Sequence, residues 1–359
     1  MASFLTTSSA ARLRRSALRA PFDALATRLA VGRADPAIRA ILAEIGASAG
    51  AAYEDAARWT IHRARSTMSG GLVALVGPPG GPILSIRTAP SDAGRHALRQ
   101  EQRALSELAA IGLPDAFRRL LPDVVATGSV GSVGYLAQRA LPGRPVDPRE
   151  GSADARAELL ASAADAIRPL HAATTTTRAA DPDDVERWVD RRVGLVLQLT
   201  SRDGRRDGSG DARLAALCST LRDALLARSI PTSRIHGDLW TGNLLVTRGS
   251  GGKLAVSGIV DWDSSARREP PFQDLLHLEL YTRKLVERVS LGTVVARALG
   301  GQDADPRPAI AGGPPTLTAS EVLLLYWLRQ VEVNVLRNPA GAGELRWRQR
   351  NVDPVVACL

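Results

Sequence analysis

The chain has 359 residues, 45% of them hydrophobic, which is enough for a two-lobed unit with a sizeable core. Its net charge of +9 favours an anionic ligand such as a nucleotide and argues against a large polycationic substrate unless acids cluster locally. Lys253 and Lys284 are the only lysines, so the 46 basic residues are nearly all arginine; with the abundance of alanine, that looks like a coding bias and not a nucleic-acid surface.

Residues 1–52 read as an N-terminal helical extension, partly flexible. Residues 1–22 hold four arginines, several serines and no acid, a composition shared by organellar transit peptides and by frayed arms of Arg-rich chains. PAIRAILAEIG (36–46) opens with Pro and closes with Gly, the punctuation of a short helix. Residues 53–143 change texture. WTIHRA, GLVALVG and GPILSIRTA are short β-type runs joined by STMSGG (66–71) and PPGG (78–81), and Ser91 and Asp92 then cap a helix reaching residue 110. On that helix Leu98, Glu101, Leu105 and Leu108 share one face. A carboxylate on the buried stripe needs a partner, and Arg87 on the preceding strand is the nearest candidate. DVVATGS and VGYLAQRAL complete a five-stranded antiparallel sheet with one helix, and GSVGSVG (128–134) between them reads as a hairpin turn.

From 144 to 359 the pattern is mainly helical, with helices expected at 153–172, 184–200, 211–229 and 318–336. The last opens on the capping box Thr318-x-x-Glu321. Polar, Gly/Pro-rich stretches at 201–211 and 300–315 read as loops. The fold class is therefore α+β, in two lobes with a cleft. No segment approaches the roughly 20 apolar residues that cross a bilayer. Cys218 and Cys358 lack partners at disulfide or metal-site spacing. A cytoplasmic protein, monomer or homodimer, with no membrane or nucleic-acid partner is expected.

IHGDLWTGNLLV (235–246) sets His236, Asp238 and Asn243 among apolar residues and glycines. One reading is a turn, with Gly237 and Gly242 supplying positive φ. The other is a rigid loop holding polar groups around one reacting centre. SGIVDWDSS, with Asp261 and Asp263, follows a second apolar strand. A hairpin of strands LLV and LAVSGIV would put Asn243 and Asp261 at one end, where an amide and a carboxylate oxygen suit Mg²⁺.

HGDLWTGN followed by IVDWD resembles the catalytic and metal motifs of the aminoglycoside phosphotransferase and choline kinase group of small-molecule kinases. YLAQRALPGRPV, AIRPLHAAT and EPPFQDLLHL resemble its strand-and-hinge segment, its helix ending in Leu-His and the stretch after its metal aspartate. The resemblance covers roughly residues 59–336 and implies a two-lobed protein-kinase-like fold using ATP and Mg²⁺ to phosphorylate a small-molecule alcohol. It implies that Asp238 accepts or orients the proton of the attacking hydroxyl, and that Asn243 and Asp261 hold Mg²⁺. His236 and Asp263 would support the loop, and Arg87, Glu101, Arg139 and Leu141 would serve the nucleotide. Asp274 would cap a helix or brace the catalytic loop, while His62, His96 and His277 read as surface or structural.

Arg87 departs from the group's lysine. It keeps the charge and can pair with Glu101, but it is larger and not a neutral swap. A pseudokinase that binds nucleotide or a partner without turnover is the alternative. DPDDVERWVD (181–190) carries two readings: an acidic helix start that suits the helix dipole, or a patch of Asp183, Asp184 and Trp188 for an aminoglycoside, amino alcohol or sugar.

Overall fold

A computed structural model describes residues 36–67, 70–201, 209–248, 253–301, 317–337, 341 and 344–359. The expectations for residues 1–35, and most of those for the loops at 201–211 and 300–315, lie outside the described residues. The chain divides into two compact units, residues 1–105 with 122–141 and residues 106–121 with 142–359.

In the first unit a helix over 36–48 (α1) precedes strands β1 (Thr60–Ser66), β2 (Leu72–Gly77) and β3 (Leu84–Ala89). Helix α2 (Asp92–Ala109) follows, then β4 (Val124–Val130) and β5 (Val133–Arg139). The five strands form one antiparallel sheet in the order β1-β2-β3-β5-β4. Period-two alternation sends Leu84, Ile86, Tyr135 and Ala137 to one face, where they meet a stripe of Ile38, Ile41, Leu42 and Ile45 on α1. The stretch expected as part of an extension thus shares the sheet's core. Leu136 and Ala89 turn to the other face and pack on Leu98 of α2. Ser91 caps that helix, its Oγ accepting from Gly94 N–H at 3.2 Å.

In the second unit a single turn, α3 (Asp115–Arg118), precedes α4 (Ala153–Thr174). Strand β6 (Thr176–Ala179) leads to α5 (Pro182–Val185), which runs through a wide π-type turn, Glu186–Asp190, into α6 (Arg191–Ser201). Then come α7 (Ser209–Leu226), β7 (Ser229–Ile235), β8 (Leu244–Arg248), β9 (Leu254–Ile259) and β10 (Ala266–Glu269). Helices α8 (Phe272–Glu287), α9 (Leu291–Leu299) and α10 (Ala319–Arg337) complete the main body, with short helices Leu345–Asn351 and Asp353–Val356 after them. Both halves of the Thr318/Glu321 capping box are made.

Two small sheets position the loops of interest. Strands β8 and β9 form a hairpin with Leu244 opposite Ile259. Strand β7 lies between β6 and β10, with Ile235 opposite Ala266. That sheet was not foreseen, because TTRA, SIPTSRI and ARRE are polar and show no apolar alternation. Its effect is to bring the residues after Ile235 beside those before Ala266. Around it, Trp188, Phe272, Leu276, Tyr326 and Trp327 belong to one large hydrophobic core. Among the described residues no helix is long and apolar enough to cross a membrane.

Candidate active site

The loop from His236 to Asn243 leaves β7 and enters β8, and each of its turns has a visible cause. Gly237 has φ +86°, and a Cβ there would fall 2.0 Å from the Ser264 carbonyl oxygen. Gly242 does not have the positive φ expected of it; glycine is needed because a Cβ would meet the Trp240 ring at 2.2 Å. Asp274, wholly buried on the first turn of α8, accepts the backbone N–H of His236 through Oδ2 and that of Gly237 through Oδ1, each at 2.8 Å. His171 of α4 donates to the same Oδ2 at 3.0 Å. Burial alone would raise the Asp274 carboxyl; the His171 hydrogen bond and the other donors outweigh it and hold the group below the usual range. Arg329 of α10 donates to the Gly237 carbonyl at 2.8 Å, so the loop is clamped from both sides. His236 has its Nε2–H on the Val260 carbonyl at 3.0 Å, its Nδ1 accepts from Asp238 N–H at 3.2 Å, and its ring lies 4.5 Å from that of Trp262.

Asp238 is the one carboxylate in this loop. Its Oδ1 accepts from His277 Nε2 at 3.1 Å, and its Oδ2 accepts from Arg337 at 2.8 Å and from Asn243 Nδ2 at 3.3 Å. His277 is buried, and its Nδ1 accepts the Tyr326 hydroxyl at 3.0 Å. Tyr326, His277 and Asp238 thus form a chain of donors that ends on the carboxylate. Burial pushes Asp238 up, but the hydrogen bond from His277 and the charge of Arg337 dominate and hold it well below the ordinary carboxylate value. Burial also keeps His277 below the usual imidazole value despite the pull of Asp238, so the ring is neutral and donates through Nε2.

Asn243 and Asp261 sit at the same end of the β8–β9 hairpin. Asn243 O accepts from Val260 N–H at 2.9 Å, immediately before Asp261. The Asn243 amide is fixed by its Nδ2 donating to Asp238 O at 2.9 Å, which turns its Oδ1 away from that carbonyl. Asp261 takes the left-handed conformation, φ 71° and ψ 57°, at the start of the turn Trp262–Ser264. Asp263, on that turn, pairs with Arg337 at 2.5 Å, so one guanidinium spans Asp238 and Asp263. Among the described residues no group of three or more His, Cys, Asp and Glu is arranged to hold a metal. One carboxylate and one amide oxygen are nevertheless hard donors of the kind Mg²⁺ accepts alongside substrate phosphates.

In the first unit Arg87 and the fully buried Glu101 form an ion pair, and Gln138 Nε2 donates to the other Glu101 oxygen at 3.1 Å. Arg139 is exposed and paired with Asp123 at 3.2 Å, while Leu141 is half-buried just beyond β5.

The expected substrate patch is not formed. Trp188 is 1% exposed within the large core. Asp184 is likewise buried, and its oxygens accept from Arg178, Arg187 and Arg268 at 2.5, 2.9 and 3.1 Å. Asp183 alone stays at the surface. With Asp181 capping the first turn of α5, the acidic run is a helix start bound into an arginine network.

His277, Tyr326, Arg329 and Arg337 were missed as site residues. His277 lies one helical turn beyond Asp274 on α8, a spacing that could have placed it on the same face. Arg337 carries no local signal.

Residues 77–308, well over half of the chain, match the phosphotransferase enzyme family. The chain belongs to that family. No curated protein sequence matches it. A thermostable mutant of aminoglycoside phosphotransferase APH(4)-Ia, in ternary complex with ADP and hygromycin B, is a structural neighbour of this family member at TM-score 0.51. It is 16% identical, with 83% of this chain and 95% of that chain covered. ADP-bound aminoglycoside phosphotransferase APH(2'')-Ib gives TM-score 0.50 at 12% identity, covering 83% and 93%. At such identities the likeness is one of fold, and the α+β kinase-like class expected from the motifs is the one these structures share.

Proposed function

We propose that this phosphotransferase transfers the γ-phosphoryl group of ATP to a hydroxyl of a small-molecule alcohol, with Mg²⁺ held by Asn243 and Asp261. The observation that carries the reading is the geometry of Asp238. A carboxylate offers about four lone-pair sites, and three of those on Asp238 are taken, two on Oδ2 and one on Oδ1. One direction on Oδ1 remains for an acceptor hydroxyl. Its low affinity for protons makes it a weak base but keeps it ionised, which suits orienting a hydroxyl. Phosphoryl transfer asks for little more, because bond-making to the nucleophile lags bond-breaking and the protein supplies mainly position and charge. When bound, the metal would neutralise charge on the phosphates.

The chain's own groups do the rest. His277 holds the Asp238 carboxylate through Oδ1, and Tyr326 fixes the tautomer of His277. Arg337 restrains Oδ2 while tied to Asp263. Arg87, held by Glu101, is the proposed cation for nucleotide phosphate, with the backbone around Arg139 and Leu141 serving the base. Support for nucleotide and acceptor comes from the neighbours, one holding ADP with hygromycin B and the other ADP.

The test is ADP release with a panel of alcohols, run with Mg²⁺ and with the metal chelated. Acceptor-dependent, metal-dependent release that disappears in Asp238→Asn supports the reading. Nucleotide binding with no turnover on any acceptor would favour the pseudokinase alternative, for which Arg87 is the sequence feature.

A further inference from the structure

We propose that the cavity walled by α8, α9, α10 and the short helix Leu345–Asn351 receives the anionic end of the acceptor. The acceptor is then a small alcohol carrying a carboxylate or phosphate, and not a polycation. The inference rests on the phosphotransferase reading and narrows its substrate class.

The cavity measures about 550 Å³, within the range of small-molecule sites. Its charged lining residues are Lys284, Arg288 and Arg350, and no Asp or Glu lines it. Among the described residues none of the three pairs with a carboxylate. The Lys284 ammonium instead lies 3.9 Å from the centre of the Tyr281 ring. An amine-rich acceptor would meet only like charge here, whereas an anion would meet three cations.

The first turn of the nine-residue helix α9, Leu291 to Thr293, also lines the cavity and presents the positive end of its dipole.

The Tyr281 ring, part of the cavity wall, also packs beside the catalytic loop. The Tyr281 ring lies 5.1 Å from that of Trp240 in the catalytic loop and 4.9 Å from that of His277, the donor to Asp238. Acid groups near the loop do not reverse the balance, since Arg337 pairs with both Asp238 and Asp263.

The experiment is titration calorimetry of the full chain with glucuronate, a hexose monophosphate, glucose and glucosamine at one ionic strength. The anionic sugars should bind at least about tenfold more tightly than glucose, and glucosamine less tightly than glucose. Preference between the first two assigns carboxylate or phosphate. Lys284→Glu with Arg350→Glu should reverse the order in favour of glucosamine, which mere loss of structure does not do. If that pair does not fold, Lys284→Gln with Arg350→Gln should cost the anionic sugars about tenfold. Equal binding of all four, no binding of either anionic sugar, tighter glucosamine binding, or an order unmoved by the substitutions overturns the proposal. Asp238→Asn keeps the two readings apart: it should lose turnover and retain the calorimetric preference. Retained turnover would sink the role of Asp238, while the charge preference would still stand or fall on calorimetry.

Discussion

Asp184 and Asp238 are both tied to arginines in the same unit, and the difference between them separates a structural carboxylate from the one proposed to orient the acceptor. Asp184 accepts four hydrogen bonds, from Arg178, Arg187, Arg268 and the Asp181 backbone, and its side chain is 2% exposed. Every lone-pair site is used. Asp238 accepts three and its side chain is 14% exposed, so one direction stays open beside a neutral histidine. Charge alone did not distinguish them; the count of donors does.

The comparison can be broken most sharply at Asp238. Asp238→Asn should lower turnover by ~10²–10⁴-fold, the usual share of a positioned base, with the fold intact by circular dichroism. A variant keeping most of the parental rate would remove the distinction. Asp184→Asn should do the opposite. It leaves three guanidiniums short of a partner, two of them with a third or more of the side chain exposed, and should cost about 3 kcal/mol in urea unfolding while kcat and KM hold.

Tyr326→Phe sharpens the contrast by leaving His277 Nδ1 without its donor. The expected cost is about 1–2 kcal/mol of stability together with a several-fold fall in kcat, and Asp238→Asn should erase the kinetic part in the double variant.

Acidification should weaken the site in two windows. The folded value of His277 is depressed, so the unfolded chain takes up that proton first, and stability contributed there is present above about pH 6.5 and lost as pH falls below it. Asp238 is also depressed. Its contribution is present above about pH 3.9 and lost only as pH falls through the lower folded value. Urea midpoints measured against pH should therefore decline first below about 6.5, and His277→Gln should flatten that first decline. The smallest effect belongs to Asp183→Asn at the surface, which should change stability by less than about 0.5 kcal/mol and leave KM for the acceptor unmoved.

Much of the fold was legible because it rests on local patterns. The alternation in LVALVG and LSIRTA and the Thr318/Glu321 cap are written within a few residues of one another. Helix α1 was read correctly as a helix, but its Ile stripe did not announce that the sheet would cover it. The candidate site was legible where residues lie in one motif, as with His236, Asp238 and Asn243. The long-range partners were not. His277 is 39 residues from Asp238 and Arg337 is 99. Trp188 and Asp184 misled for the same reason, since an acid and an aromatic in one run say nothing about which way the helix faces.

Helix α10 joins these observations. Tyr326 and Arg337 are eleven residues apart, about three full turns, so they emerge on the same side, and both reach the Asp238 network. Gln330 and Asn334, between them, belong to the cavity wall. Adding or deleting one residue in this stretch would swing Arg337 through about 100° while leaving Tyr326 in place. The segment can therefore drift in chemistry at its outward positions but is locked in length, like a key whose cuts may be refiled but whose shaft cannot be shortened.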